Sequence, residues 1–270
     1  MADPEFADRA VGTDLRGRVG IVTGASKGIG QAVTLAAAAA GATVLAVSRG
    51  EAALEETVAR AEGSPGTVVP QVLDVGDEAG VAGAVARVDA EFGGLDFIVN
   101  NAGLLTNAAI GEITDEDWTQ TEAVNVRGVL WGCKYAVRSM LERKSPGSII
   151  NIGSTSSLAG WGDAIAYTMS KHAVLGLTRA IAADRRVSGV GIRTVCVCPG
   201  DVLTPLAEEW LESQPDPEGI RTEMEGLNPS GRLALPEEVA DLVIYLCSTR
   251  ASLLNGQAIV ADLGQRALLM

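Results

Sequence analysis

The stretch "VGIVTGASKGIG", Val19 to Gly30, decides how this chain is read. Its first half is a run of β-branched and small apolar residues without polar alternation, which predicts a strand covered on both faces. The run ends in a turn holding Gly24, Gly28 and Gly30, and Lys27 to Ala40 then carries a helical pattern. Glycines let a backbone turn tightly and let a pyrophosphate approach a helix N-terminus, where free N–H groups and the dipole favour negative charge. The spacing is G-x-x-x-G-x-G rather than the general G-x-G-x-x-G fingerprint. Alone, such a turn says little; after the first strand of an α/β chain it predicts a nucleotide site.

The rest of the chain supplies that context. "TVLAVS" reads as a strand, Glu51 to Ala61 as a helix, "TVVPQVLD" as a strand and Asp77 to Phe92 as a helix. "LDFIVNN" is the next strand, Trp118 to Glu142 a long helix, "GSIINIGS" a strand, Ala166 to Val187 a helix and "GIRTVCVCPG" a strand. This alternation predicts an α/β fold with a doubly wound parallel sheet. Residues 201–232, polar and proline-punctuated around one short amphipathic patch, break the rhythm directly after a strand end. Ligands bind beyond the carboxyl ends of such strands, so this insertion is placed to act as a substrate lid. "PEEVADLVIYLCS" then reads as a helix opened by Pro236, and "GQAIVAD" as a last strand. The expected organisation is a flexible tail over 1–16 and one Rossmann-type domain over 17–270.

Composition narrows the partners. The 270 residues carry 21 Lys and Arg against 34 Asp and Glu, a formal charge of −13. That balance argues against nucleic acid and against anionic membrane surfaces, and leaves a small molecule as the expected partner. Cys133, Cys196, Cys198 and Cys247 have apolar contexts and no metal-ligand spacing; buried reduced thiols and a cytoplasmic location are expected. The single histidine, His172, makes a histidine-held metal or a histidine-based triad improbable, so no metal is expected. The apolar run "AVTLAAAAAGATVLAV" reads as helix, glycine stop and strand rather than as a membrane span.

The end of the second strand addresses the cofactor. An acidic residue there would bond the 2′-hydroxyl of NAD and repel a 2′-phosphate. Here stand Ser48 and Arg49, with Lys27 in the glycine turn. A hydroxyl and two cations suit the phosphate of NADP, although Arg49 also fits the start of a solvated helix. NADP(H) is the expected cofactor, with NAD(H) the alternative.

The chain resembles the short-chain dehydrogenase/reductase family from about residue 17 to 264. "TGASKGIG" is similar to that family's cofactor turn, and "NNAG", Asn100 to Gly103, to its sheet-stabilising turn. Asn125 in "VNVRG", Ser154 in "NIGSTSS", and Tyr167 and Lys171 in "YTMSK" fall where the family places its catalytic tetrad, with Ser154 at the usual interval before Tyr167. "PGDVLT" resembles the segment that contacts the nicotinamide. The resemblance implies a dinucleotide held by Gly24, Ser26, Lys27, Gly28, Ile29, Gly30, Ser48, Arg49, Asp74, Val75, Asn101, Ala102, Gly103, Tyr167, Lys171, Pro199, Gly200, Val202 and Thr204. It also implies a homotetramer joined through the two long helices. "VADLG" departs from the family's Val-Asp-Gly-Gly ending, which bears on C-terminal packing and is expected to leave the chemistry untouched.

The tetrad has a physical reading. Tyr167 and Lys171 are four residues apart, so on a helix they share a face. Reducing a ketone needs hydride at carbon and a proton at oxygen, and a free phenol titrates near 10, too high for ready exchange at neutral pH. The Lys171 ammonium, with the positive nicotinamide of the oxidised cofactor, would stabilise the phenolate and let Tyr167 act as general acid or base. Ser154 would hydrogen-bond the substrate oxygen. By resemblance Lys171 also holds the nicotinamide ribose, and Asn125 positions a water linking Lys171 to solvent. Leu104, Leu105, Trp161, Leu206 and Trp210 are candidate pocket walls, Trp210 being equally a candidate for the core of the lid, with Asp163 at the mouth. The expected substrate is a medium-sized ketone or secondary alcohol with an apolar body. A sensor or scaffold would predict a broken tetrad, and a Rossmann-type methyltransferase would leave the serine, tyrosine and lysine without a role.

Overall fold

A computed structural model describes residues 13–268. At its centre lies a seven-stranded, all-parallel sheet in the order β3-β2-β1-β4-β5-β6-β7. The strands are β1 (Val19–Thr23), β2 (Thr43–Ser48), β3 (Thr67–Val72), β4 (Phe97–Asn100), β5 (Gly147–Ile152), β6 (Ile192–Pro199) and β7 (Ala258–Ala261). β1 and β5 are buried at every position, as strands covered on both faces by helices must be. The order reverses between β1 and β4, and that switch point opens a crevice above the carboxyl ends of the strands.

Two apolar layers enclose the sheet. One packs α1 (Gly28–Ala39) against a C-terminal helix over Pro236–Cys247, with Val33, Ala37, Val243 and Leu246 inaccessible to solvent. Leu15 belongs to the same layer, and its N–H donates to the Ala40 carbonyl. Of the tail expected over 1–16, residues 1–12 lie outside the described residues, and Leu15 is part of the core.

The two long helices differ from the sequence expectation. The helix expected from Trp118 begins at Asp115, because Thr114 and Asp117 form a reciprocal capping box. Between Asp115–Thr121 and Val129–Glu142 the turn widens to a π-helix over Glu122–Gly128, which carries Asn125. π-turns concentrate at functional sites because they re-aim side chains. The helix expected over Ala166 to Val187 runs Ile165–Ala183 and stops at Asp184, whose extended backbone and side chain cap a separate turn at Arg185–Ser188.

Residues 201–232 hold two helices instead of one amphipathic patch: Pro205–Glu212 and Pro217–Leu227. Both starts are written in dipeptides, Thr204-Pro205 and Asp216-Pro217. In each, the capping side chain accepts a backbone N–H while proline occupies the first turn, where its missing donor costs nothing. A parallel bridge between Val202 and Ala234 closes the base of this excursion.

Candidate active site

The glycine turn after β1 is shaped by backbone demands. Gly24 and Gly28 adopt φ of 66° and 57°, left-handed values that other residues rarely take. A Cβ on Gly30 would collide with the Gly24 carbonyl and the Asn101 amide. Asn101 itself braces the neighbouring strand end: its Nδ2 donates to the Thr23 carbonyl at 2.9 Å, while the Asn101 and Ala102 N–H groups donate to Thr23 Oγ1. The "NNAG" turn thus ties β4 to β1 at the switch point and holds the mouth of the crevice open.

A cavity of about 1070 Å³ runs from this turn across the crevice. Gly24, Ser26, Lys27, Gly28, Ile29, Ser48, Arg49, Asp74, Val75, Asn101, Ala102, Gly103, Pro199, Gly200, Val202 and Thr204 all line it. Ser154, Tyr167, Lys171, Leu104, Leu105, Trp161, Asp163, Leu206 and Trp210 line the same cavity. An open glycine cradle at one end and polar side chains at the other fit an extended dinucleotide with a small substrate beyond it.

Tyr167 and Lys171 share a face of the Ile165–Ala183 helix. Lys171 is 5% exposed; its Nζ donates to the Ile152 carbonyl at 2.9 Å and stands 5.4 Å from the centroid of the Tyr167 ring. That bond fastens the ammonium to the end of β5, so its charge is fixed beside the phenol. Ser154 stands two residues beyond the end of β5. Its Oγ accepts the Ser156 N–H, and its own N–H donates to Ser157 Oγ, which fixes the hydroxyl at the mouth of a one-turn 3₁₀ helix. Trp161 meets the Tyr167 ring edge-on at 6.4 Å and the Trp210 ring at 5.9 Å, linking the phenol to the inserted helices.

Two expected site residues are engaged elsewhere. Asn125 is fully buried and does not line the cavity. Its Nδ2 donates to the Leu104 carbonyl at 2.9 Å and to Ser170 Oγ, and its Oδ1 accepts the Leu104 N–H. The side chain therefore clamps the loop that follows β4. Lys27 Nζ donates to Glu209 on the inserted helix at 2.7 Å, which leaves Arg49 as the cation beside Ser48. Ser48 Oγ donates to Ser26 Oγ at 2.8 Å, and Arg49 Nη1 lies 3.9 Å from Asp74 Oδ2.

The sequence reading overlooked Asp201, Gln265 and Arg266. Gln265 Nε2 donates to Asp201 Oδ2 at 2.9 Å, and Arg266 Nη1 donates to the Thr155 carbonyl at 3.2 Å. All three line the cavity, so the residues just past the "VADLG" segment reach the site. Burial raises the Asp201 carboxyl above the usual range. The four cysteines are buried free thiols, and burial pushes Cys133 and Cys247 up to about 12, which keeps them as inert thiols. Among the described residues there is no cluster able to hold a metal ion, and no helix long and apolar enough to cross a membrane.

A parallel doubly wound sheet, a glycine turn at its switch point and a buried lysine beside a tyrosine define a nucleotide-dependent oxidoreductase. The comparisons agree. A family model described as enoyl-(acyl carrier protein) reductase matches residues 24–266. The 3-oxoacyl-(acyl-carrier-protein) reductase of Thermotoga maritima is 36% identical over 250 residues, covering 93% of this chain and 98% of that protein. The 2-(R)-hydroxypropyl-CoM dehydrogenase of Xanthobacter autotrophicus is 38% identical over 249 residues, covering 91% and 97%. A solved structure from Beutenbergia cavernae, described as an NAD(P)-dependent gluconate 5-dehydrogenase with NADP bound at low occupancy, superposes with a TM-score of 0.87. It is 32% identical and covers 94% of this chain and 99% of its own. The chain belongs to the short-chain dehydrogenase/reductase family and is an NAD(P)-using oxidoreductase of CH–OH and C=O groups.

Proposed function

We propose that the protein interconverts a ketone and a secondary alcohol with NADP(H) in preference to NAD(H), Tyr167 serving as general acid and base. The observation that carries this reading is the Lys171 ammonium, buried, tied to the Ile152 carbonyl and 5.4 Å from the Tyr167 ring. The nicotinamide, when bound, supplies or accepts the hydride. In reduction Tyr167 gives its phenolic proton to the substrate oxygen, and Lys171 stabilises the phenolate left behind. Ser154 donates a hydrogen bond to the same oxygen as charge builds there. In oxidation the phenolate takes the proton back. Asn125 acts at one remove, as a positioning residue that holds the Leu104 loop against the substrate end.

Ser48 and Arg49, with Ser26 hydrogen-bonded to Ser48, support NADP, since no carboxylate follows β2 directly. The helices at Pro205–Glu212 and Pro217–Leu227 act as the substrate lid, and Trp210 against Trp161 couples their closure to the apolar wall. The relatives are named for acyl-carrier-protein and coenzyme M substrates, so the family sets the bond acted on and the cavity sets the substrate. A homo-oligomer fits Met169, Ala173, Gly176 and Ala180, which are exposed and uncharged on the Ile165–Ala183 helix. A panel of ketones and secondary alcohols assayed with NADPH and NADH tests the reading. Turnover of a carbonyl with NADPH favoured is expected; no turnover of any carbonyl with either cofactor contradicts it.

A further inference from the structure

The turn that follows β7 is tightly constrained. Leu263 holds φ at 52°, a left-handed value costly for a branched side chain, and Gly264 follows at 86°. The buried Asp262 carboxylate secures this turn by accepting the Gly264 and Arg266 N–H groups at 3.0 and 2.9 Å. The turn packs so closely on β6 that a Cβ at Gly200 would come within 2.8 Å of Asp262 Cβ. Its product is the placement of Arg266 in the cavity, with Nη1 on the Thr155 carbonyl, one residue along the chain from Ser154. A guanidinium has five donors in a planar fork. Among the described residues this hydrogen bond is the only one its side chain makes, and no carboxylate lies within ion-pair distance of it.

Resting on the carbonyl–alcohol reading above, we propose that Arg266 is the carboxylate-binding residue of the substrate site, so that the substrate is a keto acid or hydroxy acid. Its carboxylate would sit a short aliphatic spacer from the carbonyl that meets Ser154 and Tyr167. The fork of Arg266 matches a planar carboxylate in two parallel hydrogen bonds. Asp163, Asp201 and Glu223 also line the cavity, and these like charges make a doubly charged phosphate beside Arg266 costlier than a single carboxylate. Trp161 and Trp210 provide the apolar wall for the spacer.

The test compares charged and neutral forms of one carbonyl. Acetoacetate and methyl acetoacetate, and levulinate and methyl levulinate, are assayed with wild type, R266Q and R266K. In the wild type at least one acid should exceed its ester in kcat/KM. R266Q should lose roughly ten- to a hundredfold on that acid while its ester changes less than about threefold, and R266K should recover part of the loss. An equal loss on acid and ester would make Arg266 a mere prop for Thr155, and a wild type favouring both esters would also overturn the assignment. A second arm reads binding without turnover, titrating hexanoate and hexanamide into protein saturated with NADP⁺. Wild type should prefer hexanoate and R266Q should not; absence of that preference overturns the subsite. If hexanoate is preferred but none of the four carbonyls turns over, the carboxylate site stands and the carbonyl–alcohol reading falls.

Discussion

The two ends of the cleft are made of different material. At the chemical end Lys171 is 5% exposed, bonded to a strand carbonyl and held by a long helix. At the ribose end the Arg49 side chain is 73% exposed, loosely paired with an Asp74 side chain that is 50% exposed. A charge fixed in a dry place acts strongly on its neighbour, whereas an exposed one is screened and pays entropy to hold its pose. The cleft therefore has one end whose chemistry is rigidly specified and one whose selectivity is easily changed.

The largest effect should come from the rigid end. Tyr167→Phe removes the proton and leaves the ring that packs against Trp161. Turnover should fall by roughly a hundred- to ten-thousandfold, with cofactor still bound in fluorescence titration. Retention of most of the kcat would erase the distinction between the two ends.

At the ribose end effects should be smaller and reversible. Wild type should favour NADPH in kcat/KM by about tenfold, the exposure of Arg49 limiting what its charge-assisted bonds contribute. Ser48→Asp with Arg49→Ala should invert the preference, through repulsion of the phosphate and loss of its cation. A wild type that prefers NADH would mean that Arg49 serves solvent and Asp74 alone.

The smallest effect concerns Lys27. Its bond to Glu209 joins side chains 53% and 63% exposed, a pair of the kind that contributes little. Glu209→Gln should free Lys27 for the 2′-phosphate and lower the KM for NADPH by about twofold, with the KM for NADH unchanged. A rise in both constants would assign the pair to holding the inserted helix over the cofactor instead.

The same contrast explains what the sequence made legible. Tyr167 and Lys171 lie four apart on one helix, Ser154 stands two residues past a buried strand, and Gly24 and Gly28 need a left-handed backbone that other residues rarely adopt. Each follows from local periodicity or sterics, and these govern rigid elements. Side chains on turns escaped because their direction depends on contacts distant in sequence. Lys27 points to Glu209, 182 residues away, and Arg266 reaches Thr155 across 111. Asn125 was found by motif, yet its environment depends on a π-turn that no periodicity announces. The two inserted helices were legible in principle, since Thr204-Pro205 and Asp216-Pro217 are ordinary helix starts. Arg266 also had a signal: it follows the carboxyl end of β7, where the rule that located the rest of the cleft applies.

A fixed ammonium beside a phenol makes it a working acid and base, and the pH dependence of alcohol oxidation exposes that charge. The phenolate is the base in that direction, so removing the neighbouring positive charge favours the neutral phenol. In Lys171→Met the rising limb of kcat should move to higher pH than in wild type, and cofactor should bind less tightly. A limb that stays at the wild-type pH, with only the cofactor KM raised, would leave Lys171 as a ribose ligand with no part in the proton transfer.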